Sequence, residues 1–333
     1  MQFGILLNHE YKKEHDLDER VDELIEMTRI ARDSGYKLLF GMQHLLSSLA
    51  TFQAPVLLSR LIPESGDMRL GTGVYLANLE HPIHIAETWA TLDRLSGGRV
   101  IMGFGAGYRK NEFTSLGIER KTRWGRMVEH MTLTKQLLTG DPVHFHGKHF
   151  DIDGEACSMT PIQDPMPMWL GANGEKTVRI AARHADAWIA PPNVKTGWVK
   201  GHLQYYKDEL EANGIDPATK EYPLIREMYI SDTDKSADEE ALDFLREEYS
   251  EYAKPEYGRD VIYWRTMFDE FREKAFLWGS SETIIERIQE YADAGFDRFI
   301  FRVQWGDMPF EMAAQSVKRF AEEVIPHFQP VKA

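Results

Sequence analysis

The sequence predicts an α/β protein built as a (β/α)8 barrel, and three observations predict it. Short apolar runs recur eight times, each separated from the next by at least one amphipathic helical pattern. A length of 333 residues accommodates eight such units. No Ser/Gly-rich linker or low-complexity stretch divides the chain, so residues 1–333 read as a single domain. A doubly wound open sheet is the alternative architecture for the same alternation.

The first run, Met1 to Leu7, is apolar and bounded by Asn8 and His9. Residues 18–34 then place apolar side chains at 21, 24, 25, 27 and 31 and stop at Gly35, which reads as an amphipathic helix with a glycine terminus. Further strand-like runs lie near 37–42, 68–76, 99–105, 166–171, 186–190, 222–231 and 297–303. Helical patterns lie near 50–62, 83–96, 122–139, 174–184, 197–213, 236–252 and 281–294, with a last one over 310–325. Two segments exceed what a barrel connection needs. One is 140–165, punctuated by Gly147, Pro161 and Pro165. The other is 250–279, rich in Tyr, Trp, Phe and charge, and it suggests a lid over residues 249–278 inserted after the seventh strand, or else a solvated acidic helix.

Composition narrows the function. Against 39 Lys and Arg stand 53 Asp and Glu, a formal net charge of −14, which argues against nucleic-acid backbones and anionic membranes as partners. Cys157 is the one cysteine, so neither an intrachain disulfide nor a cysteine-based zinc site can form. No apolar run approaches the ~20 residues that span a bilayer, and Met1 leads into a strand-like run without a basic leader; a reducing cytoplasmic setting is expected.

In a barrel the reactive groups sit just past the strand C-termini. There the sequence offers Asn8 and His9, Gln43 and His44, Ala77, Asn78 and His81, Gly105-Ala106-Gly107-Tyr108, Gly171-Ala172-Asn173-Gly174, and Gln304 and Trp305. His44 is the candidate proton-transfer group, a packed core imidazole being its bland alternative. The glycines from Gly103 to Gly107 lack the Rossmann context of a dinucleotide fingerprint. Gly171 to Gly174 opens into a helix carrying Thr177, and helix-start N–H groups beside a hydroxyl suit a phosphate; a plain tight turn is the other reading. His144-x-His146-x-x-His149 has no spacing that dictates a metal geometry, and no metal is expected. Nothing marks Cys157 as a nucleophile.

The most specific stretch runs from His81-Pro82 through Ala86-Glu87, Leu92-Asp93 and Leu95-Ser96-Gly97-Gly98-Arg99 to Gly103, Gly105 and Gly107. It resembles the signature of the bacterial luciferase-like monooxygenases, and similarity continues through Gly147 to Phe150, Pro161-Ile162-Gln163, Ala185 to Trp188 and Gly295-Phe296-Asp297. That resemblance implies a (β/α)8 barrel binding a flavin. By position it places His44 near the reactive edge of the ring, with Gln43 departing from a commonly acidic neighbour. It implies a non-proline cis peptide at Gly73 and Val74 behind the ring. It implies a phosphate turn at Ala172, Asn173, Gly174 and Thr177. Ala106 stands where luciferase has an arginine, with Arg109 or Arg123 as substitutes. His9, Tyr108, Trp264 and Trp305 are expected to face substrate or lid, while Asp93, Arg94 and Arg99 belong to the stability face. The implied activity is oxygenation of a small organic substrate with O2 and reduced FMN supplied by a separate flavin reductase, in a homodimer. A deazaflavin-dependent hydride-transfer enzyme and a non-catalytic flavin-binding paralogue are the alternatives.

Overall fold

The computed structural model describes residues 1–253 and 261–329, with side chains throughout except at 261–266. Its elements follow the alternation. Strand β1 (Gln2–Leu6) leads through β2 (Glu10–Tyr11) to α1 (Leu17–Asp33), then come β3 (Leu38–Gly41), β4 (Ala50–Thr51), α2 (Ala54–Leu61), β5 (Arg69–Thr72), α3 (Pro82–Ser96) and β6 (Val100–Gly105). Next are α4 (Lys110–Ser115), α5 (Arg123–Leu137), the hairpin β7 (Val143–His146) and β8 (Asp151–Glu155), β9 (Met168–Gly171), α6 (Glu175–His184), β10 (Ala187–Ile189) and α7 (Thr196–Ala212). The remainder is β11 (Pro223–Ile230), α8 (Asp234–Tyr252), α9 (Val261–Lys274), β12 (Leu277–Gly279), α10 (Ser281–Ala294), β13 (Arg298–Arg302), α11 (Phe310–Glu323) and α12 (Ile325–Phe328).

Nine strands form one parallel sheet in the order β10-β9-β6-β5-β3-β1-β13-β11-β12. A bridge between Ala190 and Leu224 joins the β10 end back to β11, with Ile225 donating its N–H to Ala190 at 3.0 Å. The ring is thus TIM-barrel-like, with each predicted run contributing one strand. The ninth strand, β12, was not expected: it extends the upper half of β11, pairing at Met228–Ile230.

Local chemistry explains the boundaries. Asp16 caps α1 by accepting from the N–H of Asp18 and Glu19. In α3 the helix opens on Pro82, a His81 ring nitrogen accepts from Ile83 N–H, and Gly97 closes it at φ +73°. Gly103 has no alternative, since a Cβ there would stand 1.7 Å from the Thr72 carbonyl oxygen of the neighbouring strand. Inside the ring, Leu6, Leu38, Phe40, Ile101, Trp169 and Ile300 pack as one cluster, with Phe40 stacked on Trp169 at 5.6 Å. Asp93, fully buried at the bottom of the ring, accepts from the N–H of Ile162, Gln163 and Val100 and from the Gln163 amide, stapling α3 to the 161–163 segment.

Between β11 and β13 the chain forms α8, α9, β12 and α10. Phe268 and Phe276 meet Tyr249 edge-on at 5.5 and 5.7 Å, and Arg272 reaches Asp238 at 2.7 Å, so α9 lies docked on α8. The expected excursion is therefore a packed helix–strand unit over its described residues. Tyr257, Arg259 and Asp260, and the side chains of Tyr263, Trp264 and Arg265, lie outside the described residues.

Candidate active site

Residues just beyond β3 build one wall. The N–H of Met42 donates to His9 Nε2 at 2.8 Å, and Gln43 links three loops: its N–H meets the Val74 carbonyl, its Oε1 accepts from Leu76 N–H and its amide nitrogen donates to Gln53. His44 follows, its ring edge-on to Tyr108 at 5.9 Å and tilted against Tyr252 at 6.0 Å. Its Nδ1 lies 3.4 Å from Glu112 Oε1, an oxygen that also accepts from Leu45 N–H at 3.0 Å. Glu112 projects from the short helix α4 and is fully buried, and its Oε2 meets no hydrogen-bond partner among the described residues.

The opposite wall comes from β11, β13 and the end of α8. Arg302 forms a bidentate pair with Glu227, Nε to Oε2 at 2.9 Å and Nη2 to Oε1 at 2.7 Å. Its Nη1 donates to the Tyr252 hydroxyl at 3.0 Å and reaches Glu248 at 3.4 Å. Tyr252 in turn donates to Glu10 at 2.7 Å. Burial pushes Glu248 up to about 7, against the pull of Arg302. Burial also lowers His9 to about 4, so that imidazole is neutral at pH 7. For Glu10 burial favours the neutral acid, yet His44 and Arg109 outweigh it and hold the carboxyl below its ordinary range.

Between the walls lies a pocket lined by Leu6, Met42, His44, Gly73, Tyr108 and Tyr252 among others, with about 590 Å³ of empty space partly open to solvent. Gly73 brings bare backbone to its lining. The Gly73–Val74 peptide is cis, Val74 tucks its side chain against Gly105 and Gly171, and a Cβ on either glycine would stand 2.3 or 2.8 Å from it. A flat ring laid on Gly73 meets no side chain from that residue.

At the head of α6, Gly174 adopts φ +127°, and a Cβ there would have only Thr177 Oγ1, 3.8 Å away, for a neighbour. The turn is an open cradle at an uncapped helix start, which suits an anionic group. Thr177 spends its hydroxyl hydrogen on the Gly174 carbonyl at 2.9 Å, and Ala172 is pinned by the Trp188 indole N–H at 2.9 Å. Asn173 is exposed. Ala106 is buried with its carbonyl on Asn78. Of the two proposed arginine substitutes, Arg109 lies over the Tyr108 and Tyr252 rings at 5.9 Å, on the His44 side, and Arg123 binds the Arg120 carbonyl.

His44, Gly73 and Tyr108 thus meet at one pocket. His9 and Trp305 sit behind its wall, fully buried, Trp305 donating its indole N–H to Glu227 at 2.7 Å. His144 and His146 pair with Asp153 and Asp151 on the exposed hairpin, each at 2.6 Å. Among the described residues no group of three or more His, Cys, Asp or Glu is arranged to hold a metal ion. Sequence reasoning passed over Glu112, Glu227, Glu248 and Arg302. A signal existed for three of them: Glu227 and Arg302 are charges inside largely apolar strand runs, and Glu248 falls at helical spacing with Ala241 and Leu245.

Residues 1–298 match the sequence model of the luciferase-like monooxygenases. An F420-dependent glucose-6-phosphate dehydrogenase of Nakamurella multipartita is 30% identical over 277 residues, covering 78% of this chain and 77% of its own. The oxygenase component of a flavin-dependent trigonelline monooxygenase from Acinetobacter baylyi is 23% identical across 100% of this chain and 97% of its own. Among solved structures, a monooxygenase from Streptomyces bottropensis superposes with a TM-score of 0.85 at 21% identity, covering 99% of this chain and 100% of that one. At that identity the superposition speaks for the barrel, whereas the match across most of the sequence establishes kinship: the chain belongs to the luciferase-like monooxygenase family.

Proposed function

We propose that this protein is a flavin-dependent monooxygenase that uses reduced FMN and O2 to oxygenate a small organic substrate. The observation that carries the reading is the His44–Glu112 pair at the edge of a pocket that Gly73 also lines. When bound, the reduced flavin supplies the electrons and the centre at which dioxygen is activated. The chain supplies position and proton control. Gly73 seats the ring, and Asn173, Gly174 and Thr177 at the start of α6 hold the phosphate. Glu112 fixes Nδ1 of His44, leaving Nε2 to exchange a proton with the reacting molecule. Tyr249, Tyr252 and the docked α9 act as the lid that keeps water out. A separate reductase supplies the reduced flavin, a reading supported by the relative named as an oxygenase component. The whole chain works as one domain in a cytoplasmic homodimer.

A second reading, hydride transfer with the deazaflavin F420, is supported by the relatives named as F420-dependent dehydrogenases. A buried carboxylate–imidazole pair also suits removal of a hydroxyl proton from an alcohol. Anaerobic melting with reduced FMN and with F420 tests both, since a ligand at ~100 times its Kd adds about 2.7 kcal/mol. Stabilisation by reduced FMN supports the monooxygenase. Stabilisation by F420 alone replaces it with the second reading, and stabilisation by neither overturns both.

A further inference from the structure

Behind the pocket wall a file of aromatic rings runs to a second, solvent-facing groove. Tyr249 lines the pocket, and its hydroxyl donates to Glu227 Oε1 at 3.0 Å. The other oxygen of that carboxylate accepts the Trp305 indole N–H at 2.7 Å. Trp305 lies 5.4 Å, centroid to centroid, from Trp278, and Trp278 lies 5.4 Å from Tyr229, its partner in the β11–β12 pairing. Both indoles are fully buried. Tyr229 ends the file in a groove with about 730 Å³ of empty space partly open to solvent, where its hydroxyl donates to Glu240 at 2.9 Å.

Tilted ring contacts are ordinary core packing; the polar atoms along the file set it apart. Electron tunnelling weakens steeply with distance, so easily oxidised rings in contact make fast steps. Trp278 Nε1 meets no hydrogen-bond partner among the described residues. An indole without an acceptor can give up an electron but not its proton, so a vacancy there passes on. A phenol bonded to a carboxylate gives up both, and at Tyr229 the vacancy comes to rest. Tyr252 on the pocket wall also donates to a carboxylate, Glu10. Its oxygen, however, accepts from Arg302 at 3.0 Å, and Arg302 and Arg109 lie over its ring at 5.3 and 5.9 Å, which opposes positive charge there. Arg319, at the Tyr229 groove, is paired with Asp232 and Glu323. We propose that the file is an electron relay that carries oxidation out of the pocket when an oxidised flavin there is excited by light and becomes a strong one-electron oxidant. Trp305 gives one electron to that oxidant across the Tyr249–Glu227 bridge, Trp278 refills Trp305, and Tyr229 refills Trp278. Tyr229 passes its phenolic proton to Glu240, leaving a neutral phenoxyl radical and a neutral acid. A thiol in solvent returns a hydrogen atom to the phenoxyl oxygen, becoming a thiyl radical, and Glu240 releases its proton to water. This rests on the reading of the pocket as a flavin chamber and holds for FMN and the deazaflavin alike.

The test begins by titrating the full chain with oxidised FMN and with oxidised F420. Whichever binds is added in less than equimolar amount, so that none stays free, and is illuminated anaerobically with ferricyanide to take the electron onward and a nitroso spin trap to mark radicals. Peptide mass mapping of the unaltered chain should find the adduct on Tyr229, and added thiol should abolish it. Trp278→Phe keeps an aromatic ring but resists oxidation; it should retain flavin affinity and lose the Tyr229 adduct. An adduct confined to Tyr108, Tyr249 or Tyr252 in the unaltered chain overturns the proposal, a result that needs no variant to fold. A Tyr229 adduct that survives Trp278→Phe overturns it as well. The two readings fail at different steps: binding of neither flavin in the titration defeats the flavin reading and the relay with it, whereas binding followed by damage confined to the pocket defeats the relay alone.

Discussion

Glu112 is tied to both the His44 ring and the Leu45 amide, so its charge and its shape can be separated. Glu112→Gln retains an acceptor for Leu45 and should leave cofactor affinity intact, while turnover falls by roughly 10²-fold and the pH profile of kcat shifts. His44→Ala should lose about 10²–10⁴-fold in turnover with cofactor binding retained. Full activity in the alanine variant would remove His44 from the chemistry. Glu248 makes a stability prediction instead. Its folded carboxyl titrates at about 7, above its ordinary 4.5, because burial disfavours the charge. The folded state therefore holds the proton more tightly, and this contribution is full below pH 4.5 and is lost as pH rises through 7. Glu248→Gln should raise Tm at ~pH 8 and change it little at ~pH 5; equal effects at both would contradict the assignment. His9 works oppositely. Lowered by burial from 6.5 to about 4, it contributes stability above pH 6.5 that is lost as pH falls through 4, and His130, lowered to about 3, adds to the same acid limb.

At the scale of elements, the head of α6 and the docked α9 make separate predictions. Gly174 sits at φ +127°, where any side chain is strained, so Gly174→Ala measures the strain and Gly174→Asp adds a like charge. Reduced FMN should bind the aspartate variant at least about tenfold more weakly than the alanine variant, and equal affinities would move the phosphate elsewhere. If α9 acts as a lid, trypsin should cut at Arg272 more slowly once cofactor and substrate are bound, because its pair with Asp238 must open for cleavage. Equal rates in every state would identify a fixed structural unit. These two regions also mark how far the sequence could be read. Helices such as α3 and α10 were legible because apolar spacing, Pro82 and Ser280 at the starts, and Gly97 and Gly295 at the ends agree locally. Strand β12 was not, since Leu277–Gly279 is three residues long and owes its pairing to β11 alone. His44 could be found because it follows a strand directly. Glu112 could not, because α4 has six residues and nothing in Lys110–Ser115 announces that its carboxylate turns inward. Glu248 is different: helical period puts it on the buried stripe of α8 with Ala237, Ala241 and Leu245, and only its partners, Arg302 and Gly306, come from other elements.

Across the whole molecule, the ring closes between segments far apart in the chain. β1 lies between β3 and β13, with Gln2 paired to Arg298 and Leu6 to Arg302, and the β10–β11 seam is held by the Ala190 bridge. Since β1 and β13 are ~300 residues apart, the pairing is strongly non-local, and the cost of bringing them together comes before the reward. A chain ending before β13 should expose one side of β1 and the Phe3 ring, which packs on Phe299, Phe301 and Phe320; it should aggregate or bind hydrophobic dyes, and a soluble, cooperatively melting product would contradict this. The same register has a meaning on the ribosome. At ~5–20 residues per second, the earliest strand to emerge waits on the order of tens of seconds for its second neighbour to be made. Throughout that interval its free edge is a docking strip for other nascent chains, so the yield of this protein in a cell should depend on chaperones that bind early, before translation reaches the strand that shields it.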